Sequence, residues 1–285
     1  MADPVFVVGN ARSGTSAVSA AIRKTRYSGF NEGHLSGLLP KLFKQVDEHW
    51  SRFDENTPRV VLMSNLPKSE FTDGIQDLYK EIFLKHNNNS EFIIDKTPDY
   101  YGIAAIPFLL DIWPDAKFIY CQRRPLEVIL SSRKKWPGIP LKNSCRIWKH
   151  SVVTWHEIVE KLDRNYLEIE QIEIVLDPDG ISQKLTDLLE LSPEETALLA
   201  DDLGQRQHQV TSSSYNPVTA DDMGFDAEEW ATFNEVCGDI FERRGYSYDA
   251  GYFIDAGRRE QVLKGFDLPP DTKLIASAPL SADAD

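Results

Sequence analysis

One cation and three hydroxyls crowd into the segment Gly9-Asn10-Ala11-Arg12-Ser13-Gly14-Thr15-Ser16. Arginine and hydroxyl side chains between closely spaced glycines suit a phosphate-like anion. The glycines let backbone N–H groups turn toward the ligand, and the arginine supplies charge. The glycine spacing matches the nucleotide-binding pattern G-x-x-x-x-G-K-[ST], except that Thr15 stands where the lysine belongs. That lysine reaches the β- and γ-phosphates of a triphosphate, so its absence argues against ATP or GTP, and against an accompanying magnesium ion. Ser13, Thr15 and Ser16 are also good helix caps, and one of them can serve only in that way.

The elements around this loop have the layout such a cradle needs. Val5-Phe6-Val7-Val8 reads as a strand and Ala17–Arg26 as a helix. Helical spacing recurs over 35–50, 70–86, 102–112, 125–135, 144–164, 180–191 and 226–244, and Ser192-Pro193-Glu194-Glu195 opens another helix with a capping-box pattern. Further strands are expected at Phe92-Ile93-Ile94, Lys117–Cys121 and about 166–170. Strands alternating with helices predict an α/β fold with a central parallel sheet and helices on both faces. Ligands in such folds sit at the carboxyl ends of strands. The turns after Val8, Ile94 and Cys121 are therefore the informative ones.

At 285 residues the chain can bury a full core, and residues 1–268 read as a single domain followed by a disordered acidic tail, 269–285. No apolar run approaches the roughly 20 residues that span a bilayer, and the start lacks a signal-peptide pattern. A cytoplasmic protein is expected. Cys121, Cys145 and Cys237 have no metal spacing and suggest free thiols. The net charge of −14 is uneven: residues 1–150 carry 21 Lys and Arg against 16 Asp and Glu, while 151–285 carry 10 against 29. Such an acidic chain is a poor partner for nucleic acid or an anionic membrane. The basic stretch 121–150 suits a small polyanion, or is a solvated helix face. Trp148 and Trp155, seven residues apart on one helix, are expected in the core, with stacking on an adenine as the alternative.

The loop Gly9–Ser16 resembles the 5′-phosphosulfate loop of sulfotransferases that use 3′-phosphoadenosine 5′-phosphosulfate (PAPS). Arg123-Arg124-Pro125-Leu126-Glu127-Val128-Ile129-Leu130-Ser131 is similar to their 3′-phosphate element, an arginine at a strand end followed eight residues later by a helical serine. A guanidinium there can grip phosphate with two N–H groups, and the serine hydroxyl closes the contact. Where the family often has aspartate after the arginine, this chain has Arg124, which either adds to phosphate binding or pairs with an acid elsewhere. Asp95-Lys96-Thr97-Pro98-Asp99-Tyr100 looks like the lysine segment of carbohydrate and tyrosylprotein sulfotransferases.

The resemblance implies a P-loop-type fold and transfer of a sulfuryl group from PAPS to an acceptor hydroxyl or amine, in line and without metal. Arg12, Ser13, Gly14, Thr15 and Ser16 would hold the 5′ end, and Arg123, Ser131 and Lys135 the 3′-phosphate. Lys96 would neutralise charge on the leaving oxygen. Glu32, in Phe30-Asn31-Glu32-Gly33-His34, would be the base, with His34 the second candidate. The serine-rich stretch 211–218, with Ser213, resembles a late loop that closes over the nucleotide. The acceptor is a small molecule, glycan or peptide, and the oligomeric state, a homodimer included, stays open. Two rivals remain: an ATP-dependent P-loop phosphotransferase, disfavoured by Thr15 and by the lack of a magnesium-binding aspartate, and a non-catalytic nucleotide-binding protein of the same fold.

Overall fold

The computed structural model describes residues 3–54, 56–162, 165–205 and 217–254. Along the chain run β1 (Val5–Gly9), α1 (Thr15–Ile22), α2 (Leu39–Trp50), α3 (Lys68–His86), β2 (Ile94–Thr97), α4 (Tyr100–Ala104) and α5 (Ile106–Ile112). There follow β3 (Lys117–Gln122), α6 (Pro125–Lys135), α7 (Leu141–Val159), β4 (Tyr166–Glu170) and α8 (Gln171–Leu176). The last helices are α9 (Pro178–Leu189), α10 (Pro193–Gln205), α11 (Ala220–Met223) and α12 (Ala227–Arg243). The chain divides into two compact units, one of 1–123 with 157–213, the other of 124–156 with 214–285.

The first unit holds a four-stranded, all-parallel sheet in the order β2-β1-β3-β4. β1 and β3 are apolar almost throughout because both faces of the sheet are covered, as parallel strands require. On one face Val5, Val7, Ile119 and Ile169 pack with α1, α9 and α10 through Val18, Ile22, Leu185 and Leu199. On the other, Phe6 stacks on Phe118 (5.6 Å between ring centres) and meets Phe83 of α3 (5.9 Å) and Trp113 (6.1 Å). This is the expected α/β architecture. It departs from the sequence reading at β2, which begins at Ile94 and continues through Asp95, Lys96 and Thr97, all buried. Three polar residues read as a strand end are strand, because the register pairs Val7 with Lys96 and Val8 with Thr97. α8 follows β4 directly and was not anticipated. A capping box between Glu170 and Glu173 starts it.

In the second unit, aromatic rings of α12 and the turn after it build the core, with Phe233 against Phe241 (5.8 Å) and Phe241 against Tyr248 (4.4 Å). Trp148 and Trp155 are buried, as expected. Acids on α12 neutralise much of the basic stretch: Glu229 pairs with Arg133 (3.0 Å), Glu235 with Lys142 (3.3 Å) and Asp239 with Lys149 (3.2 Å). Those three cations belong to a helix-to-helix ionic seam. The cysteines are free and buried. No helix among the described residues is long and apolar enough to cross a membrane.

Candidate active site

Three strand ends of the first unit carry the chemistry. Gly9 ends β1 with φ +145°, and a Cβ there would lie 2.2 Å from the carbonyl oxygen of Cys121, so only glycine lets β1 pass β3 into the loop. Arg12 is left-handed at φ 72°, an uncommon conformation for a residue with a side chain. Gly14, at φ 93°, precedes α1, whose N-terminus has no side-chain cap. Ser13 Oγ is buried with no hydrogen-bond partner among the described residues. An orphaned hydroxyl under an uncapped helix start fits an incoming anion. Arg123, after β3, donates from Nη1 to the carbonyl oxygen of Arg12 (3.2 Å). The guanidinium therefore lies at the loop.

Lys96 projects from β2 with its side chain 4% exposed. Its ammonium donates to Ser16 Oγ (2.9 Å) and to Glu32 Oε1 (2.9 Å). Glu32 Oε2 meets His34 Nε2 at 3.1 Å, and His34 Nδ1 meets Asp99 Oδ2 at 3.3 Å. A single line of polar contacts thus runs Ser16–Lys96–Glu32–His34–Asp99. Four of its five members are residues the sequence nominated. Hydrogen bonds from Lys96 and then from His34 hold the Glu32 carboxyl below its ordinary range. Glu32 is half exposed, so this pairing is weakly committed. A ring protonated on both nitrogens satisfies both carboxylates beside His34, and a neutral ring satisfies one.

The segment bearing Glu32 and His34 is moored to the outer edge of β2. Ile94 N–H donates to Ser28 O (2.9 Å), and Gly33 N–H to Lys96 O (3.1 Å). Thr97 Oγ1 accepts from the His34 backbone N–H (3.2 Å) and from Ser36 Oγ (3.2 Å), and donates to Asp95 Oδ2 (3.1 Å). Burial raises the Asp95 carboxyl to about 6. His34 itself is left-handed at φ 55°. Of the six non-glycine residues with positive φ among the described residues, Arg12 and His34 fall at this site, where such strain tends to be kept.

Asp99, Thr97 and Asp95 were quoted in the sequence motif without roles. Asp99 could have been found as a helix cap, since its Oδ1 accepts from Gly102 N–H (2.8 Å) at the start of α4. Arg124 belongs to the second unit and is consumed there. Its guanidinium donates to Glu127 through Nε and Nη2, and to the carbonyls of Ser247, Asp249 and Val218. Of the two roles left open for it, pairing with an acid is the one realised. Ser131 is buried on α6. Lys135 is exposed near that helix's end, its ammonium 4.7 Å from the Trp136 ring centre. Ser213 lies outside the described residues, as do most of 211–218 and the tail 269–285.

Fold and site together define a parallel α/β protein of the P-loop type, with a lysine–glutamate pair set against the loop. A family profile described as the sulfotransferase family matches residues 4–196, more than half of the chain. The chain belongs to the sulfotransferase family. Among solved structures it is similar to sulfotransferase STF9 from Mycobacterium avium, with 15% identity, 85% of this chain and 76% of the other covered, and a TM-score of 0.53. Sulfotransferase STF1 from Mycobacterium tuberculosis H37Rv gives 15% identity, coverage of 82% and 77%, and a TM-score of 0.49. The sulfotransferase domain of the Synechococcus PCC 7002 olefin synthase gives 18%, 94% and 96%, and 0.48. A search of curated protein sequences returns no significant match.

Proposed function

We infer that this protein transfers a sulfuryl group from PAPS to an acceptor hydroxyl or amine, in line and without metal. The observation carrying this reading is the Lys96 ammonium, held between a hydroxyl of the anion loop and a carboxylate. The loop from Arg12 to Ser16 holds the 5′-phosphosulfate, and Arg123, whose guanidinium lies at that loop, the 3′-phosphate. Thr15, in the place of the triphosphate-binding lysine, supports a donor other than ATP.

The residues divide the work by exchanging partners. As charge builds on the leaving oxygen, Lys96 turns its ammonium toward it, leaving Glu32. Glu32 then loses the strongest influence lowering its proton affinity and becomes a better base for the acceptor proton. His34 and Asp99 keep the carboxylate oriented. Positioning and charge supply most of the catalysis in such a loose transfer.

Calorimetry with 3′,5′-adenosine bisphosphate in EDTA tests the donor. Binding is expected without metal, ATP should bind far more weakly, and Arg123→Ala should cost at least about tenfold in affinity. Preferential binding of ATP with magnesium would overturn the reading. On an acceptor found by screening with labelled PAPS, Lys96→Ala and Glu32→Ala should each lower turnover by about a hundredfold or more.

A further inference from the structure

Glu32 is fastened chiefly from one side. Residues 30–32 make no backbone-to-backbone hydrogen bond among the described residues, and upstream the chain is next held at Ser28, whose carbonyl oxygen accepts from Ile94 N–H (2.9 Å). Downstream, two bonds follow at once. Gly33 N–H donates to the Lys96 carbonyl oxygen (3.1 Å), and His34 N–H donates to Thr97 Oγ1 (3.2 Å). The first is ordinary backbone pairing. The second lands on a side chain.

That side chain has no freedom left. A threonine hydroxyl offers one proton and two lone pairs. Thr97 gives its proton to Asp95 Oδ2 (3.1 Å) and accepts from His34 N–H and from Ser36 Oγ (3.2 Å each). Its methyl is closed in by α4, where a Cβ on Gly102 would lie 2.7 Å from Thr97 Cγ2. Thr97, Asp95 and Ser36 are all buried. Gly33 rests directly on the same carboxyl group, since a Cβ there would overlap Asp95 Oδ1. One oxygen of Asp95 therefore lies under the base-bearing segment while the other orients the hydroxyl that grips it.

Given Glu32 as the base, we propose that Thr97 is its positioning residue: the saturated hydroxyl, braced by Asp95 beneath Gly33, fixes where Glu32 meets Lys96. Thr97 touches no reacting group, because all three capacities of its hydroxyl are taken. It acts through what it holds. A shift of the His34 backbone would move Glu32, two residues before it, and the imidazole that contacts Glu32 Oε2 (3.1 Å) together.

Carbon-13 NMR of the full chain labelled at glutamate carboxyls reads this arrangement without an acceptor, the Glu32 signal being identified by its loss in Glu32→Gln. In the wild type, hydrogen bonds from Lys96 and His34 hold Glu32 below the ordinary range. Thr97→Val keeps the shape and removes the hydroxyl. It should return the Glu32 titration toward the ordinary range and lower turnover on the screened acceptor by about ten- to a hundredfold, with KM for PAPS little changed. Thr97→Ser, which keeps the hydroxyl, should restore both. Gly33→Ala should act like Thr97→Val from the other side, by pushing Asp95 off Thr97 or lifting the segment. In a Glu32→Gln background, Thr97→Val should cost little further turnover. A Glu32 titration unmoved by Thr97→Val overturns the proposal. So does Thr97→Ser as impaired as Thr97→Val, or an equal loss of turnover with and without Glu32. Full turnover by Glu32→Gln would instead remove Glu32 as the base, and the titration would still decide whether Thr97 places it.

Discussion

Around Arg124, five guanidinium N–H groups meet five acceptors, three of them backbone carbonyls. Around Lys96, the ammonium is shared between two side chains, Ser16 and the half-exposed Glu32, and either contact can be given up. Arg123 and Arg124 are adjacent in the chain yet belong one to each kind of region. Arg123 rests on a carbonyl of the anion loop, while Arg124 ties Val218 and the turn 247–249 to α6. Five acceptors, three of them backbone carbonyls, cannot all move without unfolding something, so a cation saturated by them serves stability. A cation balanced by a mobile carboxylate can change partners, which chemistry on a charged substrate requires.

The largest test of that contrast is a pair of substitutions. Arg124→Met should cost about 3–5 kcal/mol in urea unfolding, because it leaves Glu127 buried and charged without its partner. Replacing Glu127 with Leu as well should restore a good part of that loss. Arg123→Met should shift the unfolding midpoint little while weakening adenosine bisphosphate binding. Equal destabilisation by both single changes would erase the distinction.

Next in size is a pH effect within the site. Asp95 is raised from the ordinary 3.8 to about 6 by burial. Between those values the folded protein binds the proton and the unfolded chain does not, so stability falls as pH rises through about 4 to 6. Asp95→Asn should abolish that slope, making the variant relatively more stable at pH 7 than at pH 4 by on the order of 3 kcal/mol. Chemical unfolding of both proteins at the two pH values would check the sign.

The smallest change sharpens the contrast from the site's own side. Arg12→Gly relieves a left-handed conformation and should raise thermal stability by about 0.5–1 kcal/mol while weakening nucleotide binding. A variant that gained nothing in stability would show that the loop holds no strain at this residue.

Much of this was legible in the chain itself. Arg12, Ser16, Glu32, His34, Lys96 and Arg123 were nominated from glycine spacing, strand ends and family resemblance, and each lies in the first unit at or beside the loop. What escaped notice depends on pairing partners that local pattern does not encode. The register with β1, not propensity, makes Asp95-Lys96-Thr97 a strand. Arg124 stayed open between phosphate binding and pairing with an acid because its carbonyl acceptors lie some 90 or more residues onward, although Glu127, three residues along the same helix, was a readable hint. The stretch around Arg133, Lys142 and Lys149 read as a patch because the acids opposing it stand on a helix roughly 90 residues later.

The mooring of residues 28–33 along β2 carries a cost for substrate entry. β2 is the last strand on its side of the sheet, and this segment is what covers its outer row of amide and carbonyl groups. An acceptor that wedged the base-bearing segment outward would strip that cover and bare a ribbon ready to pair with any neighbouring extended chain. Catalysis and protection from aggregation therefore rest on the same six residues, and a bulky acceptor must reach Glu32 along a path that leaves them seated.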